Sequence, residues 1–268
     1  MIPTRNVEDW LEEDLGHHDV TNQVPGRTQG RLVAKESGVV AGFDAARAVF
    51  EYLDVDVESR IETGERVDAG ETILRVEGPA REVLRGERVA VNIAGHASGI
   101  ATRTRRAVDA AREVSDGVRI AGTRKTTPGL RGVEKRAVAA GGGDTHRLDL
   151  SHMVMVKDNH VAEMGLEAAV DHFRERVSFA TKIEVEVETP EDAPRAAEAG
   201  ADIVLLDNLP PADTERAVRL LPDGTLAEAS GGITVDDVPA YAETGVDVIS
   251  MGSLTHSADT LDLSFRTG

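Results

Sequence analysis

From residue 118 onward, short apolar runs alternate with segments whose apolar positions repeat at helical spacing. The runs at 118–122, 152–157, 182–188, 202–207, 226–230 and 246–251 predict strands. The segments at 131–140, 162–176, 190–199, 212–221 and 235–244 predict helices between them. Thr189-Pro190-Glu191-Asp192 opens one helix with proline at its first position and acids in its first turn, and Thr234-Val235-Asp236-Asp237 repeats the acidic start. Gly200 and Gly245 close helices just before the next strand. Six βα units predict a parallel α/β architecture.

The first hundred residues follow another pattern. Val7, Trp10, Leu11 and Leu15 lie at helical spacing and Gly16 ends that helix, leaving Asp14, His17, His18 and Asp19 as a solvated helix end. Residues 30 to 85 are β-rich around one helix, in which Phe43, Ala46, Val49, Phe50 and Leu53 face inward. From 82 to 114 the chain is mostly helical, with Ile100, Ala101, Thr104, Val108 and Ala111 as a stripe and Arg103, Arg105, Arg106 and Arg112 as a solvated face. This change of pattern sets an expected division into 1–103 and 104–268.

Polar residues decide between a barrel and an open sheet. Strand after strand runs into polar groups: Arg124-Lys125, Lys157-Asp158-Asn159, Asp207-Asn208, Ser230-Gly231-Gly232 and Gly252-Ser253. A barrel assembles its site from many strand ends, whereas a doubly wound sheet concentrates it at one switch point. The barrel is favoured.

Charge narrows the partners. The chain of 268 residues carries a net charge of −18, which argues against nucleic acid or an anionic membrane. No apolar run is long enough to span a bilayer, and the N-terminus is acidic, so a cytoplasmic protein is expected. Cysteine is absent, removing disulfides, thiol nucleophiles and thiolate metal sites together. Of 30 basic residues only Lys35, Lys125, Lys135, Lys157 and Lys182 are lysines, and a surface so rich in carboxylates predicts a halophilic source. Three of those lysines fall between Gly122 and His160. Cations concentrated at strand ends of an acidic protein predict an anion pocket.

Two later features complete it. Lys182-Ile183-Glu184-Val185-Glu186-Val187-Glu188 puts three glutamates on one face of a strand whose two faces should both be buried, so they need cations or metal. The glycine turns at Ser230-Gly231-Gly232 and Met251-Gly252-Ser253 follow the last two strands, where barrels hold phosphate. Neither a Ser-His-Asp pattern, HExxH nor GxGxxG occurs. The profile is chemistry on a phosphorylated sugar with a second, acidic substrate.

In the motifs TRKTTPGLR, EKRAVAAGGGDTHRL, VKDNH, EVEVET, GADIVLLDN, EASGGI and GVDVISMGSLTHS, the chain from about Glu13 to Leu263 resembles the quinolinate phosphoribosyltransferase family. The resemblance implies an N-terminal α/β sandwich domain and a C-terminal incomplete (β/α) barrel. It also implies transfer of phosphoribosyl from phosphoribosyl pyrophosphate to quinolinate with Mg²⁺, giving nicotinate mononucleotide, pyrophosphate and CO₂. Arg124, His146 and Arg147 match residues that hold the quinolinate carboxylates, with Thr123 beside them. Lys125 and Lys157 match residues where the two substrates meet. Glu186 and Asp207 match acids near the ribose hydroxyls and Mg²⁺, acting directly or through substrate or water. Ser230, Gly231, Gly232 and Met251, Gly252, Ser253 match the 5-phosphate loops. Arg88 matches an arginine reaching in from the neighbouring subunit of a homodimer, or of a hexamer built as a trimer of dimers.

Gly122 stands where the family often has aspartate, Glu184 and Glu188 are read as satisfied core acids without a role, and His160 and His256 as neighbours of the motif residues. Three alternatives stand beside this reading. One is a molybdenum-transport-associated paralogue of the same family. A carrier or scaffold reading of residues 64–78 lacks its lysine, since none lies between Lys35 and Lys125. A Schiff-base aldolase using Lys157 leaves the phosphate loops unexplained.

Overall fold

In a computed structural model that describes residues 2–268, the chain packs as two compact units. Among the described residues the first comprises 2–105, 132–142 and 258–268, and the second 106–131 and 143–257. Two segments from later in the chain, 132–142 and 258–268, thus group with the first unit.

The first unit holds α1 (Thr4–Leu15), β1 (Arg27–Ala34), β2 (Gly38–Val39), α2 (Phe43–Tyr52), β3 (Asp56–Ser59), β4 (Arg66–Val67) and β5 (Thr72–Pro79). From Pro79 the chain passes directly into α3 (Ala80–Arg112), a helix about 50 Å long at ~1.5 Å per residue, within which the division between units falls. The main sheet is antiparallel in the order β12–β1–β5–β3, where β12 is the C-terminal strand Leu263–Thr267. Leu32, Leu74, Val76 and Leu263 share one face of this sheet, which buries against Phe43, Ala46 and Phe50 of α2 and Val83, Ala90 and Ala94 of α3. Phe265 of β12 stacks on Phe50 with ring centres 5.8 Å apart. Asp19, expected in solvent, is buried: its carboxylate accepts from the Thr21 and Asn22 amides and pairs with Arg85 at 2.9 Å.

The second unit carries the six predicted strands: β6 (Arg119–Ala121), β7 (Val154–Val156), β8 (Ile183–Val187), β9 (Ile203–Asp207), β10 (Leu226–Ser230) and β11 (Val248–Ser250). α4 (Arg131–Ala140) lies between β6 and β7 in sequence but groups with the first unit. α5 (Asp158–Met164) and α6 (Leu166–Arg174) follow β7, α7 (Asp192–Glu198) follows β8, and α8 (Pro211–Leu220) follows β9. A 3₁₀ turn (Val235–Asp237) and α9 (Val238–Ala242) follow β10, and α10 (Ser253–His256) follows β11. All pairings are parallel, in the order β6–β11–β10–β9–β8–β7.

That order decides the architecture. Strands β7 to β11 are neighbours in succession and β6 returns to pair with β11, so the sheet winds one way. A doubly wound sheet would reverse direction midway. No pairing joins β6 to β7 among the described residues, which leaves the barrel open along one side, as expected. Val185, Val187, Val204 and Leu206 face outward beneath the helices, while Glu184, Glu186 and Asp207 alternate with them and face in. Among the described residues, no helix is long and apolar enough to cross a membrane.

Candidate active site

The carboxyl ends of the six strands surround a cavity of about 550 Å³, all of it within the second unit. Register fixes how its walls are built. Asp207, Ser230 and Ser250 stand abreast at the top of β9, β10 and β11. One step down, Glu186 and Glu228 flank Leu205. The serines are joined, with Ser250 Oγ donating to Ser230 Oγ at 3.0 Å.

The cationic wall comes from β6 and β7. After Ala121 the loop turns on itself, with the Lys125 amide donating to Thr123 Oγ1 at 3.1 Å and the Thr126 amide to the Arg124 carbonyl at 2.9 Å. Thr123, Arg124 and Lys125 thereby all line the cavity. His146 and Arg147 enter from the segment before β7. His146 sits in the left-handed region at φ 52°, which few residues other than glycine adopt, histidine more readily than most. Its amide donates to Asp144 Oδ1 at 2.7 Å, and Asp144 is stitched to β6 through the Ile120 carbonyl and the Gly122 amide. Gly122 thus contributes its backbone at the position where a supporting carboxylate was in question.

Arg124 and Arg147 each hold a buried Nε without a hydrogen-bond partner. Arg147 is 9% exposed, and its Nη2 donates to Met155 Sδ at 3.4 Å. Burial, then the Arg124 charge beside it, lowers its pKa, and Glu184, Glu186 and Glu228 oppose that. Guanidinium stays charged under any such shift, so two cations with idle donors face one space. That arrangement suits an anion.

The acidic wall lies opposite. Lys157, at the end of β7, pairs with Glu186 of β8. Burial first and the Glu186 charge second raise the pKa of Asp207, with Lys157 and Lys125 opposing. Asn208 Nδ2 donates to Asp207 Oδ2 at 2.6 Å. Two acids close enough to disturb one another suit sugar hydroxyls or a hard divalent cation such as Mg²⁺.

The glycine turns close the far end. Gly231 has φ 99° and an added Cβ would fall 2.3 Å from Asn208 Oδ1, so only glycine fits. At Gly252 the added carbon would meet Lys125 Cδ at 2.8 Å, so its absence lets the lysine stem lie across the turn. Ser230, Gly231, Gly232, Met251, Gly252 and Ser253 all line the cavity. His256 lines it as well, whereas His160 uses Nδ1 to accept the Lys157 amide at 3.0 Å. Arg88 belongs to the first unit and is not a lining residue; its exposed side chain lies 3.8 Å from Glu87.

Two glutamates depart from expectation. Glu188 is exposed rather than a core acid. Glu184 is fully buried and, as a carboxylate, not satisfied, since no donor group reaches either of its oxygens. Burial, then Glu228, pushes its pKa up to about 9, so it keeps its proton at neutral pH. As two carboxylates Glu184 and Glu228 would offer each other no hydrogen; protonated, Glu184 has one to offer Glu228. Glu228, 1% exposed, lines the cavity and was missed. The signal was present, because Glu228 and Ser230 alternate onto one face of β10.

Known proteins align with both parts of this architecture. Residues 100–266 match the family model described as quinolinate phosphoribosyl transferase, C-terminal domain, and residues 19–98 the N-terminal domain of the same enzyme. The chain belongs to the quinolinate phosphoribosyl transferase family. It is 46% identical over 270 residues to a probable carboxylating nicotinate-nucleotide pyrophosphorylase of Methanothermobacter thermautotrophicus, covering 97% of each chain. The carboxylating nicotinate-nucleotide pyrophosphorylase of Homo sapiens is 43% identical, over 97% of this chain and 90% of that one. Among solved structures, nicotinate-nucleotide pyrophosphorylase from Ehrlichia chaffeensis superposes with a TM-score of 0.93 at 31% identity, covering 100% of this chain and 99% of the other. The family's fold, a sandwich domain followed by a barrel-like domain, is the fold described above.

Proposed function

We propose that the protein transfers the phosphoribosyl group of phosphoribosyl pyrophosphate to quinolinate with loss of CO₂, forming nicotinate mononucleotide and pyrophosphate in NAD biosynthesis. The observation that carries this is the division of one cavity into two chemistries. One wall holds the guanidinium groups of Arg124 and Arg147, and the other holds acids beside two glycine turns.

The chemistry follows from those walls. Cleavage of the bond between the anomeric carbon and pyrophosphate leaves that carbon cationic, and Glu186 and Asp207 favour the developing charge. The pyridine nitrogen of quinolinate donates its electron pair to form the new bond. The ring, now cationic, can hold the electrons of the bond to its 2-carboxylate, which leaves as CO₂; a proton then takes its place on the ring. Arg124, His146 and Arg147 hold the two carboxylates so that the nitrogen faces the ribose, a task suited to planar guanidinium. Lys125 and Lys157 sit where carboxylate and pyrophosphate charge accumulate, and Ser230 to Gly232 and Met251 to Ser253 receive the 5-phosphate. Mg²⁺ would neutralise pyrophosphate charge, with Glu186 and Asp207 as the residues to hold it, directly or through substrate or water.

The same reading makes the working unit a cytoplasmic homodimer, or a trimer of dimers, in which Arg88 of one subunit serves the partner's cavity. Incubation with phosphoribosyl pyrophosphate, Mg²⁺ and either quinolinate or nicotinate tests the assignment. Nicotinate mononucleotide should form from quinolinate and not from nicotinate. Equal turnover of nicotinate, or no product at high salt, would overturn it.

A further inference from the structure

We propose that Glu228 is a positioning residue that fixes the ring of His146 and so sets the atom this histidine offers to the acidic substrate; the substrate assignment rests on the reading above, in which His146 and Arg147 hold carboxylates. Glu228 Oε2 lies 2.8 Å from His146 Nε2, and the next acceptor, Glu184 Oε1, is 3.8 Å away. A carboxylate oxygen in this pair accepts, so Nε2 carries the hydrogen. Nδ1 is the ring nitrogen left for the cavity that His146 lines, and it holds a substrate carboxylate only when it carries a hydrogen as well, so that both ring nitrogens donate.

The backbone gives the bond its importance. His146 is held in the left-handed region by its amide bond to Asp144, at the β6 side of the barrel, while its ring reaches Glu228 on β10. Glu228 secures the far end of that span. Its charge also faces the guanidinium of Arg147, so one carboxylate supports both consecutive residues that read the acid. A divalent ion among His146, Glu184 and Glu228 is the competing occupant, since their ligand atoms lie within 4.8 Å of one another. Arg147 already supplies positive charge to the same carboxylates and disfavours it.

The test begins with the ligand-free, full-length protein labelled with ¹⁵N-histidine. The His146 resonance should report hydrogen on Nε2 in the wild type and should change in Glu228→Gln. Hydrogen on Nδ1 alone in the wild type overturns the proposal, even if the variant fails to fold. So does any spectral change when transition metals are removed by chelation. Kinetics then supply the functional readout. Glu228→Gln should raise KM for quinolinate about tenfold, with KM for phosphoribosyl pyrophosphate changed less than about twofold. In a His146→Ala background the same substitution should have little further effect. Equal losses for both substrates, or an undiminished loss without His146, overturn the positioning role. A wild type showing the Nε2 hydrogen but no turnover of quinolinate would instead sink the functional reading alone.

Discussion

At the residue scale, charges that look alike in sequence take on different tasks in the cavity. Arg147→Ala should weaken quinolinate binding at least about tenfold while leaving phosphoribosyl pyrophosphate binding nearly unchanged, measured by titration calorimetry with each ligand. Equal losses would mean the arginine reads charge in general. Glu184 yields a prediction in pH. Its pKa is raised to about 9 from an ordinary value near 4.5, so above that lower value the folded protein holds a proton that the unfolded chain releases. Stability therefore falls as pH rises between the two. Glu184→Gln keeps the neutral shape and removes the slope, so its melting temperature relative to wild type should climb from about pH 5 to about pH 8.5. A flat difference would contradict it. In the sequence the EVEVE alternation showed that these glutamates face inward, but not which would be ionised. Lys157 answers Glu186, whereas no cation is hydrogen-bonded to Glu184. Partners of that kind come from other strands and are invisible along one.

At the element scale, the barrel strands were legible as short runs rich in apolar residues, and the structure keeps all six, 226–230 at its expected bounds and the other five shorter by one to three residues. β12 was not read. Leu263 and Phe265 do alternate with Ser264 and Arg266, but the strand's partner is β1, more than two hundred residues earlier. The approach to that strand is tight. An added Cβ at Gly99 of α3 would fall 1.9 Å from the Asp259 carbonyl oxygen, within the same unit. Gly99→Ala should displace the segment leading to β12 and cost about 1–3 kcal/mol, read by denaturant unfolding. An unchanged midpoint would show that the segment yields freely.

At the scale of the whole molecule, the sandwich and barrel classes were legible in the sequence but the discontinuous units were not. The pattern change near residue 103 is local, whereas the grouping of 132–142 with the N-terminal unit arises only from tertiary packing. The charge of −18 belongs to this scale too. We propose that it reflects a salt-rich cytoplasm, and the melting temperature should rise between ~0.1 M and multimolar KCl as repulsion is screened. A temperature that does not rise would leave the acidity without that explanation. The central claim concerns one cavity in which cations hold a dicarboxylate while acids and glycine turns hold the ribose phosphate. It is tested most directly by turnover of quinolinate labelled at its 2-carboxylate. All of the label should leave as CO₂, one for each pyrophosphate released; pyrophosphate release with label retained in the nucleotide would contradict that claim.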